Sequence, residues 1–147
     1  MFEIMAISTA IADDLVDSYR RAIYQIDSGS ESIALRIDQF SRSLSNLLSE
    51  LKCTRAAIIS AYNPYSQQLS HDENETAHQS LHTLLIHRSH PILECINLDP
   101  SGYWPVEKSF FVAGLDFDTA KFFGEQYAQN AILWIDEDAI PRLVLLR

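Results

Sequence analysis

The chain has 147 residues, of which 47% are hydrophobic and 21% charged, a composition typical of a globular protein rather than a disordered one. Its 11 basic residues are scattered and outnumbered by 20 acidic ones, for a formal net charge of −9, which argues against binding to duplex nucleic acid or to an anionic membrane surface. No apolar run approaches the ~20 residues of a membrane-spanning helix. We therefore expect a single acidic domain over residues 1–147.

Hydrophobic periodicity and turn-forming residues divide the chain into helices and strands. One apolar stripe with four-residue spacing indicates the first helix and consists of Ile7, Ile11, Leu15 and Tyr19. The predicted elements in chain order are a helix over 6–19, strands over 22–26 and 32–37, a helix over 41–52, a strand over 55–62, a helix over 72–88, strands over 92–98 and 109–115, a helix from Asp116 or Asp118 to Asn130, and strands over 131–135 and 143–146.

Three local patterns add detail to these elements. The strand over 55–62 is apolar on both faces, which is typical of a strand inside a sheet, and Asn63-Pro64 ends it. Asp72 followed by Glu75 is similar to a capping box at the start of a helix. Gly124 lies inside the last predicted helix, where glycine is less favourable than alanine. This indicates that the helix approaches the sheet closely there, because such a contact would compensate for the lower helix propensity.

The order α-ββ-α-β-α-ββ-α-ββ predicts an α+β fold, in which helices pack on one mostly antiparallel sheet. The central β-α-β-β-α-β run matches a ferredoxin-like core. The N-terminal helix and the outer hairpins would be additions to that core.

Several short motifs follow one another in a definite order. They are the turn Ala61-Tyr62-Asn63-Pro64-Tyr65-Ser66, Asn74 in the next helix, Trp104 and Glu107 before an apolar strand, and Gln129-Asn130-Ala131-Ile132. Their order and spacing resemble the domain-of-unknown-function family 3293, a group of uncharacterised small bacterial proteins, from about Leu15 to the end. That family often has Phe-Gly directly before Gln-Asn-Ala, whereas four residues, 125–128, separate Phe123-Gly124 from that motif here. The resemblance implies no activity.

Polar residues of these motifs lie at the ends of predicted elements. The ends of strands beside the N-terminus of a helix commonly form a ligand site. The candidate ligand-binding residues are Asn63, Ser66, Asn74, Trp104, Glu107 and Asn130. Amide side chains donate and accept hydrogen bonds, and a tryptophan can stack on a flat ligand. We therefore expect non-catalytic binding of a small polar or nucleotide-like molecule.

Other interpretations of the same residues stay open. Asn63 and Ser66 can stabilise their own turn, Asn130 can cap its helix, and Trp104 can anchor the core. The chain can instead be a protein-interaction or homodimerisation module that uses a sheet edge or the final hairpin. It can also be an enzyme in which Glu107 acts as general acid or base, so whether it is an enzyme is undecided.

Metal and cofactor sites are not expected. Glu75, His78 and His82 share one predicted helix face, but a di-iron site needs a second Glu-x-x-His, which the sequence lacks, so a solvated polar face is expected. The dispersed glycines form no phosphate loop.

The two cysteines have neither zinc-ligand nor redox-pair spacing. We expect Cys53 and Cys95 to be buried reduced thiols. The acidic start Met1-Phe2-Glu3-Ile4 lacks the positive charge of a secretory signal, so the expected location is cytoplasmic.

Overall fold

The computed structural model describes residues 9–88 and 90–147. Helices in this part of the chain are α1 (Asp13–Arg21), α2 (Arg42–Glu50), α3 (His71–Ile86) and α4 (Phe117–Gln126), and a 3-10 turn covers Pro64–Ser66. Strands are β1 (Ile23–Asp27), β2 (Ser32–Arg36), β3 (Ala56–Ile59), β4 (Ile92–Leu98), β5 (Glu107–Ala113), β6 (Ala131–Ile135) and β7 (Pro141–Leu145). The predicted order of elements and the α+β class are confirmed.

The strands form one antiparallel sheet in the order β2-β1-β4-β5-β3-β6-β7. β3 lies between β5 and β6, as its apolar sequence predicted, with Ile58 opposite Phe111 on one side and Leu133 on the other. Since every neighbour is antiparallel, the end of β3 lies beside the starts of β5 and β6.

Helices cover both faces of the sheet. The leucines of α2 pack into one hydrophobic cluster with Ile58 and Phe111. Leu81 of α3 and Phe123 of α4 pack into a second cluster with Ile59. Alternate residues of β3 therefore enter opposite clusters, which is the period-2 alternation of a strand. No helix in the described ranges has the length and apolar character needed to cross a membrane.

The predicted bounds of the first helix are wrong in the described part. The prediction gave residues 6–19, whereas α1 begins at Asp13, after an extended Ala12 with φ −62° and ψ 146°. Ile11, which belonged to the predicted helical stripe, is buried from the non-helical segment before α1, so its burial comes from tertiary packing rather than from helical periodicity. Residues 6–8, including Ile7 of that stripe, lie outside the described residues, as does Met1-Phe2-Glu3-Ile4.

The start of α3 also differs from the prediction, since the capping box is not formed by Asp72 and Glu75. Ser70 Oγ accepts a hydrogen bond from Glu73 N, and the Glu73 carboxylate accepts one from Ser70 N, each 3.2 Å long. The serine hydroxyl fits the N-cap position. Glu75 is thereby left to contact neighbouring elements.

Gly124 in α4 approaches the sheet as closely as its position predicted. A Cβ added there would lie 2.6 Å from Leu146 Cδ1 and 2.7 Å from Ile132 Cγ2. Glycine fits here because any side chain would force these two side chains to shift, and the close contact compensates for its lower helix propensity.

Candidate functional site

A cavity of about 100 Å³ lies at the end of the sheet where β3 finishes and β5 and β6 begin. Helix α1 closes it from one side through Leu15, Ser18 and Tyr19. The predicted site residues among its lining are Asn63, Ser66, Trp104, Glu107 and Asn130. The structure thus brings five of the six candidates together, although they come from separate parts of the chain.

Asn63 connects three elements through its side chain. Its Nδ2 donates to Glu107 Oε2 over 2.7 Å, and its Oδ1 accepts from Asn74 Nδ2 at 2.8 Å and from Leu69 N at 2.9 Å. Asn74, the sixth candidate, is buried and in turn accepts from Asn63 N at 2.9 Å. Asn74 is not among the described residues that line the cavity, so its role is to hold Asn63 in place.

The turn after β3 has an unusual backbone. Asn63, Tyr65 and Ser66 all have positive φ angles, of 45°, 52° and 59°. Asparagine tolerates this conformation, but a bulky tyrosine does not adopt it without support. The support includes a 2.7 Å hydrogen bond from Tyr65 N to Ala128 O. This bond ties the turn to the segment after α4.

Asn130 joins a second hydrogen-bond network in the cavity wall. Its Nδ2 donates to Tyr19 Oη at 2.9 Å and to Ser66 Oγ at 3.1 Å, and the two hydroxyl oxygens are 2.5 Å apart. Asn130 is only 6% exposed, and its Oδ1 is buried without a donor among the described residues. Asn130 is part of the cavity lining, so its side-chain amide is one of the polar groups of the site.

The interpretation of Asn130 as a helix C-cap is wrong. The C-cap of α4 is Tyr127, three residues earlier, and the chain then turns through Ala128 with φ 53°. Gln129 donates its Nε2 to Tyr62 O at 3.0 Å. The Asn130 amide is therefore used in tertiary contacts, whereas the Gln129 amide also donates to Tyr127 O, at the C-cap of α4, over 3.2 Å.

Glu107 begins β5 and is half-buried in the cavity. Burial raises the pKa of its carboxyl above the ordinary value, and the hydrogen bond from Asn63 offsets part of that rise. Burial also raises the pKa of Tyr24, to which the charge of Glu107 contributes. The carboxylate is therefore held in a setting that favours protonation or a positively charged partner.

Trp104 is held at the cavity by the turn that follows β4. Asp99 Oδ2 accepts from Trp104 N at 2.9 Å, and Asp99 Oδ1 accepts from Ser101 N and Oγ. The hydrogen bonds from Ser101 and Trp104 lower the pKa of the Asp99 carboxyl, which stays ionised at neutral pH. Trp104 is half-buried, so it is a wall of the cavity rather than a core anchor.

An open groove of about 640 Å³ shares Leu15, Ser18, Asp99 and Trp104 with the cavity. It adds charged and aromatic residues to the shared wall, namely Asp14, Arg21 and Tyr103. The groove thus forms the solvent side of the site.

Sequence reasoning missed part of the cavity wall. Tyr19 was assigned to an apolar helix stripe, and Tyr24 was placed in a strand without a role, yet both line the cavity. A tyrosine at the end of an otherwise aliphatic stripe was a usable signal for Tyr19. Tyr24 had no such signal, because its place depends on the pairing of β1 with β4.

The expected solvated face of α3 is partly wrong. His78 is 1% exposed and stacks on Phe110, with ring centroids 4.1 Å apart, and its Nε2 lies 3.3 Å from Glu94 Oε2. Burial lowers its pKa, although the charge of Glu94 opposes that shift. Glu75 accepts a hydrogen bond from the Tyr62 hydroxyl and forms an ion pair with Lys108.

No group of three or more His, Cys, Asp or Glu side chains that could hold a metal ion occurs within residues 9–88 and 90–147. Both cysteines are free thiols. Cys95 is buried, and burial raises its pKa to about 12, whereas Cys53 is only half-buried, contrary to the expectation.

One comparison with known proteins agrees with the resemblance to a family. A family model described as a protein of unknown function (DUF3293) matches residues 59–132. This span holds all six predicted site residues, whereas Tyr19 and Tyr24 precede it. Neither the curated proteins nor the solved structures gave a match. Because the family model covers half of the chain, the chain belongs to the DUF3293 family.

Proposed function

We propose that the protein binds a small polar ligand in the cavity at the end of β3. The observation that carries this proposal is a cavity lined by Asn63, Glu107 and Asn130, of which Asn130 has a buried Oδ1 that no described residue donates to. Buried polar atoms normally have a partner. A bound molecule with an N–H or O–H group is therefore the expected partner.

The size and chemistry of the cavity limit the ligand. A water molecule needs about 10–15 Å³ of such space, so the volume of about 100 Å³ accommodates a small molecule or one group of a larger one. The described lining has no Lys, Arg or His side chain. A nucleotide-like ligand would therefore insert its base, and its phosphate would lie in the groove near Arg21.

Thermal-shift screening with nucleosides, nucleotides and small polar metabolites tests the proposal. At least one compound should raise the Tm of the wild type but not that of Asn130→Ala. Asn46→Ala, a change to an exposed residue of α2, is the matched control and should respond as the wild type does. The proposal is wrong if every stabilising compound acts equally on the wild type and on Asn130→Ala.

Glu107 supports a second candidate, an enzyme in which it acts as general acid or base. A half-buried carboxyl with a raised pKa in a cavity is typical of such a group. A ligand found in the screen would be incubated with the wild type and with Glu107→Gln. Conversion that disappears in the variant while binding persists supports catalysis, whereas an unchanged ligand in both contradicts it.

Homodimerisation through a sheet edge is a third candidate. β2 and β7 are the outer strands, and an outer strand has unpaired backbone groups that can extend a sheet. Light scattering at high protein concentration tests this candidate, and a strict monomer argues against it.

We also infer that β3, α3, β4, β5, α4 and β6 form a ferredoxin-like unit. The neighbour order β6-β3-β5-β4, the antiparallel pairing and the packing of α3 and α4 in one hydrophobic cluster support this inference. An experimental structure with either crossover left-handed would contradict it.

A further inference from the structure

We infer that the group which enters the cavity is a small organic cation, such as an alkylguanidinium or alkylammonium head. This inference rests on the proposed function and specifies its ligand. The cavity walls offer acceptors and negative charge, and the neighbouring groove can hold a short aliphatic stem.

The charges of the site favour a cation. Asp99 and Glu107 line the cavity, and none of its described lining residues carries a positive charge. In the groove, Asp14 and Asp99 outnumber Arg21. The formal net charge of −9 adds a long-range attraction for cations.

The hydrogen-bonding groups of the site are also rich in acceptors. Among the described residues, the Glu107 carboxylate receives one hydrogen bond, from Asn63, and Asn130 Oδ1 receives none. A guanidinium has five N–H donors and no acceptor. It would therefore satisfy both oxygens and give the half-buried carboxylate a counter-charge, whose absence is costly.

Aromatic rings in the lining are consistent with a cation. Tyr19, Tyr24 and Trp104 contribute to the cavity wall, and the face of an aromatic ring attracts a positive charge. Leu15 and Trp104 belong to both the cavity and the groove. They provide an apolar path for a stem that leads from the head to solvent.

Isothermal titration with n-butylguanidinium and n-butylurea tests the charge requirement. The two probes have nearly the same shape and both donate N–H groups, but only the first is charged. We expect the wild type to bind the guanidinium at least about tenfold more tightly, because the charge–charge interaction with the half-buried Glu107 carboxylate is lost with the urea.

Two variants assign the preference to the cavity. Glu107→Gln keeps an acceptor for Asn63 and should lose the preference for guanidinium while still binding the urea. Glu50→Gln changes the net charge equally at an exposed position of α2 and should keep the preference.

The outcomes separate the inference from the proposed function. Equal affinity for the two probes, or tighter binding of the urea, overturns the cation inference and leaves the ligand cavity supported. Equal weakening of both probes by Glu107→Gln also overturns it, because Glu107 would then shape the cavity rather than pair with a charge. Binding of neither probe overturns the inference too, and the nucleoside and metabolite screen with Asn130→Ala then decides the proposed function independently.

Discussion

Asn63→Ala is the most informative single change to the candidate site, because Asn63 connects the end of β3 to β5 and to α3. The substitution deletes the hydrogen bonds with Glu107, Asn74 and Leu69. It also places alanine at φ 45°, a left-handed conformation. Both effects destabilise the native protein.

The magnitude follows from the burial of each partner. Asn74 Nδ2 is fully buried and loses a partner, which costs about 1–3 kcal/mol. The bonds to Leu69 and Glu107 are partly buried and contribute at the lower end of that range each. The left-handed backbone adds about 1–2 kcal/mol for alanine. We expect the free energy of unfolding to fall by at least about 4 kcal/mol, and the Tm by at least about 8 °C.

Urea unfolding, extrapolated linearly to water, measures this loss. Asn63→Gly separates the two causes, because glycine adopts a positive φ freely; it should be about 1 kcal/mol more stable than Asn63→Ala. Asn46→Ala on the surface should change stability by less than about 0.5 kcal/mol. A loss below about 1 kcal/mol for Asn63→Ala would refute the structural role of its side chain, and a glycine variant no more stable than the alanine variant would refute the backbone argument.

Three further changes test the electrostatics and packing. Burial raises the pKa of the Glu107 carboxyl, so the wild-type protein loses stability as pH rises from 4.5 through the folded pKa. Thermal unfolding should therefore show Glu107→Gln gaining stability over the wild type towards pH 7, and a pH-independent difference contradicts this. Burial lowers the pKa of His78, so the stability of the wild type should fall as pH drops below 6.5, because the unfolded chain takes up the proton first. Urea unfolding of His78→Gln should lack this contribution. Equal slopes of the free energy of unfolding against pH in the two proteins count against it. Gly124→Ala should cost about 1–2 kcal/mol of stability, since overlap with Leu146 outweighs the gain in helix propensity. The double variant with Leu146→Ala should be more stable than the sum of the two single changes predicts. Strict additivity would show that the alanine methyl and the Leu146 side chain do not clash.

The order of helices and strands could be predicted from the sequence because hydrophobic periodicity is a local property. β3 shows this well, since an apolar run between turn residues already indicated a strand covered on both faces. Errors occurred at element ends, where a capping hydrogen bond or the backbone conformation of one residue decides the boundary. Ser70 rather than Asp72 caps α3. Helix α1 begins after Ala12, whereas the prediction began it at Ala6.

The candidate site was only partly predictable for a related reason. Polar residues at the ends of elements identified Asn63, Glu107 and Asn130, but nothing local shows that they share a cavity or that Tyr24 joins them. That depends on which strands pair, and the pairing of β3 with β5 and β6 is set by the packing of the whole sheet.

His78 shows the same division between local and tertiary information. On its helix it belongs to a polar pattern, yet Phe110 of β5 covers its ring. The sequence by itself determined which segments become helices and strands and which polar residues stand at their ends. Only the tertiary structure decided which of those residues are buried together, because burial and hydrogen-bond partners are made by segments that are distant in the chain.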